Sequence, residues 1–179
     1  MTSNSKLPKV GFAKVLYITD LSDSGRKAFP YAASIAHKYG AELTVLHVVE
    51  AHDFEKYLVG YISEPLWNEI KDRSLKDARK MLLDRKRDDT AIKSSVDEMC
   101  QQSQDHPYVT YDLMVEIGDP VDKILDKAHG ENYDLVIMGK HGHGAMKGAL
   151  MGDTCQRVVR RCQKPVLVVE VPPEKENSR

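Results

Sequence analysis

Glycines are concentrated in one short stretch of the chain, between an apolar run and a helical pattern. The apolar run is Leu135–Met138, and the helical pattern covers residues 156–162. Glycine lets backbone N–H groups approach a phosphate closely, and the start of a helix adds a partial positive charge. The stretch is therefore typical of an anion site in an α/β protein. Its five glycines are Gly139, Gly142, Gly144, Gly148 and Gly152.

A carboxylate follows the first apolar run of the chain. Residues 15–19 are apolar and β-branched, which predicts a buried strand, and Asp20 comes directly after it. A carboxylate in that place can accept hydrogen bonds from a ligand at the carboxyl end of the sheet. It can also cap the first helix, and the residues alone leave both roles open.

The elements between these two places alternate between strands and helices. The first helix is predicted over 26–39, with its start near residues 25–27, Pro30 in its first turns and Gly40 as its stop. A turn at Gly118-Asp119-Pro120 introduces a later helix. The remaining strands are predicted over 43–49, 109–117, 134–138 and 166–171, and further helices over 63–87 and 153–161. Residues 91–103 either continue the helix over 63–87 or form a second helix.

Most of these strands are continuous apolar runs, which indicates a parallel sheet covered by helices on both faces. Ligands in such sheets bind beyond the carboxyl ends of the strands, where the strand order switches. If the first and fourth strands are neighbours, Asp20 and Gly139 line one crevice.

Composition bounds the class of protein. The 179 residues favour one domain, predicted over 13–171 between a flexible tail at 1–12 and another at 172–179. The 26 basic and 27 acidic residues give a net charge of -1, so no global basic field favours nucleic acid. Three cysteines without metal-type spacing, and no membrane-length apolar run, predict a cytoplasmic protein that does not enter a membrane.

The pattern resembles the universal stress protein family from Lys14 to Val171. The resemblance rests on Asp20, the Gly118-Asp119-Pro120 turn, the Gly-x-x-Gly, nine residues, Gly motif and the closing residues 164–169. It implies a three-layer, adenine nucleotide alpha hydrolase-like fold with a five-stranded parallel sheet in the order 3-2-1-4-5. It also implies a homodimer joined through the last strand and, for members with the glycine motif, ATP or AMP binding.

The resemblance also assigns positions in a nucleotide site. Asp20 matches the residue that contacts the ribose, and Val48 matches the strand position whose backbone meets the adenine. Gly152 matches the glycine that opens the phosphate site. The end of the fourth strand and the loop over the sugar and phosphates match Met138, Gly139, His141 and Gly142.

The chain departs from the family after the last glycine. The family usually has a hydroxyl residue, an apolar residue and a second hydroxyl residue, whereas this chain has Asp153, Thr154 and Cys155. A carboxylate only accepts hydrogen bonds and repels phosphate, although Asp153 is a good N-cap and could hold a divalent metal such as Mg²⁺. AMP, or ATP with a metal, is therefore favoured over bare ATP.

Other polar residues near the glycines are weaker candidates. His141 and His143, flanked by Lys140 and Lys147, could contact phosphates or a metal, but two histidines make an incomplete site. Cys155 at a helix start could be a reactive thiol, or a small buried packing residue. Packing roles are predicted for His47, Trp67 and Cys162.

The function predicted from the resemblance is a stress-response-type, dimeric regulatory module that binds an adenine nucleotide and acts on an unknown protein partner. Two alternatives stay open. One is a slow metal-dependent ATPase, and the other is an interaction protein whose phosphate site Asp153 has disabled. The sequence contains no Walker-type motif and no paired catalytic carboxylates, so no catalytic residues are predicted.

Overall fold

The computed structural model describes residues 10–50, 94, 97–98, 110–142 and 150–170. The helix predicted over 63–87 lies outside these residues, as do most of the helix predicted over 91–103 and nearly all of both predicted tails. No helix among the described residues is long and apolar enough to cross a membrane.

Five strands form one parallel sheet in the order β3-β2-β1-β4-β5, as the resemblance predicts. Strands alternate with helices along the described chain. In sequence order the elements are β1 (Lys14–Ile18), α1 (Asp23–Tyr39), β2 (Glu42–Val49), β3 (Tyr111–Ile117), α2 (Pro120–Gly130), β4 (Leu135–Gly139), α3 (Asp153–Arg161) and β5 (Val166–Val169).

Helix α1 begins earlier than its apolar pattern predicts. Ser22 caps it by accepting a hydrogen bond from the Gly25 N–H, so the first helical residue is Asp23 rather than one of residues 25–27. Pro30 is then the eighth residue of the helix and not part of its first turns. The stop is as predicted, because Gly40 adopts a left-handed φ of 62°.

Two hydrophobic cores lie on opposite faces of the sheet. On one face, Phe29 and the alanines of α1 pack against side chains such as Tyr17 and Val45. On the other face, α2 and α3 cover residues that include Leu16 and Val136. The result is a three-layer sandwich, in which the sheet lies between α1 on one face and α2 and α3 on the other.

Local interactions set the ends of the later elements. Asp119 caps α2 by accepting from the Asp122 N–H, and Pro120 is its first residue. Strand β4 is shifted by one residue from the prediction and ends at Gly139, which pairs with Val169. Just before the strand, the Asp134 carboxylate accepts hydrogen bonds from Ala13 N–H and Lys14 N–H at 2.7 and 3.0 Å. Those two bonds hold the pKa of Asp134 below its usual range.

Candidate functional site

Strands β1 and β4 are hydrogen-bonded neighbours, so the chain segments that follow them meet at one edge of the sheet. Ile18 pairs with Met138 in the last register position of the two strands. The helices that follow the two strands depart to opposite faces, which makes this the switch point of the strand order. Asp20 and the first glycines of the loop therefore lie side by side at this edge.

The turn that carries Asp20 is fixed by side chains on both sides. Thr19 Oγ1 accepts from the Leu21 N–H at 3.0 Å, and Leu21 has a left-handed φ of 64°. Asp20 Oδ1 accepts from the Ser22 N–H at 3.0 Å and from the Ser22 hydroxyl at 2.6 Å. Because Ser22 is the residue that caps α1, the capping role considered for Asp20 is wrong.

Two glycines lie against the Asp20 carboxylate, one beside each of its oxygens. A Cβ built on Gly142 would overlap Asp20 Oδ2, and a Cβ on Gly25 would lie 2.7 Å from Oδ1. At the end of β4, a Cβ on Gly139 would lie 3.1 Å from the Ser24 carbonyl oxygen. None of these three glycines has a positive φ. They are needed for close approach between loop, carboxylate and helix, and not for a left-handed turn.

The start of α3 lies beside the same loop. The Gly152 N–H donates to the Lys140 carbonyl at 2.9 Å, and a Cβ on Gly152 would lie 3.5 Å from the His141 Cα. Gly152 is the N-cap of α3 and no side chain caps this helix. The prediction that Asp153 is the N-cap is therefore wrong, because Asp153 is the first helical residue.

The three residues that open α3 present different groups. The backbone N–H groups of these three residues have no acceptor carbonyl within their own helix, as at every helix start. The Asp153 side chain is 79% exposed, and its carboxylate lies 3.6 Å from the Arg157 guanidinium. Thr154 is half-buried, and the Cys155 side chain is 3% exposed and packs in the core beneath α2 and α3.

Burial decides the chemistry of Cys155. A helix start lowers a thiol pKa, but burial raises the pKa of Cys155 to about 11. The thiol is protonated at neutral pH and faces the core. The packing role considered for Cys155 is thus confirmed over the reactive one.

Several other predicted residues lie around the crevice. Val48 is half-buried and packs against the core under α2 and α3. Lys140 has its ammonium group 2.7 Å from Glu170, so that cation already has an ion-pair partner. His143 and Lys147 lie outside the described residues. Within the part of the chain that the structure describes, no three metal-ligating side chains form a group.

Two features were not found from the sequence. His47, predicted as a packing residue, forms a hydrogen bond of 2.9 Å between its Nδ1 and the Thr19 carbonyl. Because a carbonyl only accepts, His47 Nδ1 is the donor. This bond ties β2 to the Asp20 turn. Arg157 lies 3.6 Å from Asp153 and 3.8 Å from Asp119, and so links the starts of α3 and α2. The spacing of four residues between Asp153 and Arg157 was the available signal.

The sheet order, the two helical layers and the crevice between β1 and β4 define a class of small open α/β domains with a ligand position at the switch point. Within that class the particular family is shown by the match of its model to residues 11–170. The chain belongs to the universal stress protein family.

The sequence of this chain matches those of its relatives over nearly their full lengths. The chain is 26% identical over 171 residues to the universal stress protein MJ0577 of Methanocaldococcus jannaschii, covering 90% of this chain and 96% of that protein. It is 30% identical over 158 residues to a universal stress protein of Thermus aquaticus, covering 88% and 98%.

Solved structures show the same fold. The structure of MJ0577 superposes with a TM-score of 0.63 at 25% identity, covering 92% of this chain and 99% of that one. A universal stress protein solved in complex with cAMP superposes with a TM-score of 0.57 at 20% identity, covering 90% and 98%.

Proposed function

We propose that this protein is an adenine-nucleotide-binding module, which acts in the cytoplasm as a dimeric regulatory domain. The observation that carries the proposal is the position of Gly142 against Asp20 Oδ2, at the switch between β1 and β4. A carboxylate and a glycine loop in contact at that edge supply both a ribose acceptor and a backbone that can approach a ligand closely.

Each part of the crevice suits one part of a nucleotide. Asp20 would accept from the ribose hydroxyls, with Oδ1 held by Ser22 so that the carboxylate keeps one orientation. The amides that open α3 would bind phosphate oxygens, helped by the partial positive charge of the helix start. The backbone of Val48 would meet the adenine.

The choice of base rests on the family. The relative solved with cAMP shares only the fold at this level of identity, and its ligand supports adenine nucleotides as the first compounds to test.

A second candidate function is favoured by the start of α3. Asp153 is exposed and acceptor-only, and the Cys155 thiol faces the core, so two of the three side chains there give phosphate no donor. Under this alternative the module binds a protein partner without nucleotide. Mass spectrometry of small molecules released from freshly purified protein separates the two candidates.

Calorimetry tests the proposed site directly. We expect AMP or ATP, titrated with and without Mg²⁺, to bind the native protein and not Gly142→Ala, whose new Cβ would overlap Asp20. Gly130→Ala is the matched control, because a Cβ there meets nothing within 4 Å. Equal affinity in the two variants would show that the nucleotide binds elsewhere, and no heat with any nucleotide would favour the interaction module.

A further inference from the structure

We infer that the exposed carboxylate of Asp153 makes this site discriminate nucleotides by phosphate charge, and that Arg157 sets how strongly it does so. The inference rests on the proposed function, since it concerns the same crevice. The ligand class that follows is the nucleoside monophosphates, bound in preference to the di- and triphosphates.

The charges around the start of α3 carry the first step. Two carboxylates, those of Asp153 and Asp119, lie within 4 Å of a single guanidinium, that of Arg157. The group therefore has a net charge of about -1 when all three are ionised at neutral pH. A phosphate chain that extends toward these side chains meets their net negative charge beside the partial positive charge of the helix start, and the repulsion from the side chains grows with each added phosphate charge.

The hydrogen-bonding groups carry the second step. The side chains of Asp153 and Cys155 offer phosphate no donor, which leaves the half-buried Thr154 hydroxyl and the backbone amides. A few amides at a helix start suffice for one phosphate group. They do not supply enough donors to offset the added repulsion of a longer, more highly charged chain.

Arg157 acts through its neighbour. Its guanidinium lies beside the Asp153 carboxylate on the exposed surface of α3 and is also shared with the residue that caps α2. Removing it leaves both carboxylates without this cation. The discrimination against triphosphates then becomes stronger, whereas the Asp20 turn and the glycine contacts are unchanged.

The test is a titration series with adenosine, AMP, ADP and ATP in the presence of EDTA. For Asp153→Asn we expect ATP affinity to rise about threefold, AMP affinity to rise less and adenosine affinity to stay unchanged, since an exposed charge contributes modestly. For Arg157→Ala we expect ATP affinity to fall by a similar factor. Arg160→Ala, on the same helix and without an ion pair among the described residues, is the matched control.

The double variant separates action through Asp153 from direct contact. In the Asp153→Asn background, Arg157→Ala should have little further effect on ATP affinity. A full loss there would show that Arg157 binds phosphate itself and would overturn the inference. The ATP-specific differences should also shrink at about 1 M salt, where exposed charges are screened.

Other outcomes are equally decisive. If Mg²⁺ raises ATP affinity in the native protein but not in Asp153→Asn, Asp153 is a metal ligand and the inference is wrong. If adenosine and AMP bind but phosphate number has no effect in any variant, the inference fails while the proposed function stands. If ATP binds the native protein but AMP does not, the inference fails while the proposed function stands, and if no adenine nucleotide binds, the proposed function has failed as well.

Discussion

At the scale of single residues, Ser22 connects the fold to the candidate site. Its hydroxyl donates to Asp20 Oδ1 at 2.6 Å and accepts from the Gly25 N–H at 3.0 Å. One oxygen atom thus caps α1 and orients the carboxylate that faces Gly142. The cap of α1 and the orientation of Asp20 therefore depend on the same group.

Replacing Ser22 should therefore impair both properties. We expect Ser22→Ala to lower the free energy of unfolding by about 1 kcal/mol, the usual contribution of an N-cap. It should also weaken nucleotide binding, because Asp20 loses the hydrogen bond from the hydroxyl and keeps the one from the Ser22 N–H. Ser22→Thr keeps the hydroxyl and is the matched control. Urea denaturation and calorimetry measure the two effects, and a normal affinity in Ser22→Ala would show that Asp20 is oriented without this bond.

At the scale of elements, an ion-pair group fixes α2 on the edge strand β3. Glu116 is 12% exposed and lies 3.1 Å from Lys127 and 3.4 Å from Lys123. Burial alone would raise the pKa of Glu116, but the hydrogen bonds and charges of Lys127 and Lys123 outweigh it and hold the pKa below its usual range. Burial likewise opposes the charge of Lys127, and Glu131 and Glu116 raise its pKa.

The direction of the Glu116 pKa shift predicts that the stability of the fold decreases at acidic pH. A lowered folded-state pKa means that Glu116 stabilises the fold at neutral pH. This contribution is fully present above the unfolded-state pKa of about 4.3 and is lost as pH falls through the lower folded-state pKa. The raised pKa of Lys127 keeps its contribution until pH rises above about 10. We expect Glu116→Gln to cost about 1 kcal/mol between pH 6 and 9, and progressively less as pH falls below the unfolded-state pKa.

Denaturation midpoints measured from pH 3 to pH 9 test this expectation. Asp112→Asn is the control. Asp112 lies on the same strand, and its exposed carboxylate has no ion pair among the described residues. A difference between native protein and Glu116→Gln that does not change with pH would mean that packing, rather than charge, is lost.

The elements also show what the sequence can predict. Where a local signal sets an end, the prediction was close: Asp119 and Pro120 open α2, and Gly40 ends α1. The predicted start of α1 follows the apolar pattern, whereas the Ser22 cap sets the start at Asp23, three residues before Arg26. A strong cap overrode the cost of an internal proline.

Contacts between distant segments lie beyond local patterns. The contact of Asp20 with Gly142 depends on β1 and β4 being neighbours, which periodicity does not give and which only the family resemblance implied. The link from Arg157 to Asp119 joins two helices that each look ordinary alone. Sequence reasoning therefore placed the crevice but missed part of its electrostatics.

At the scale of the whole molecule, the sheet ends in β5, whose outer edge has no partner strand within the described residues. Pro165 and Val169 carbonyls accept from Val136 and Lys140 of the β4 side. In a parallel ladder the bonding direction alternates along a strand, so the N–H and C=O groups of Val166 and Val168 point outward. An unpaired apolar edge of this kind favours pairing with a second copy of the chain.

The predicted homodimer through the last strand can be tested at one outward amide. Val168→Pro removes an N–H that faces the edge and leaves the bonds to β4 in place, so we expect the dimer to dissociate while the monomer stays folded. Val168→Ala keeps the N–H and should remain dimeric. Analytical ultracentrifugation gives the masses and circular dichroism checks the fold. If Val168→Pro stays dimeric, the interface lies elsewhere. If Val168→Ala dissociates too, the Val168 side chain, rather than backbone pairing, holds the two copies together.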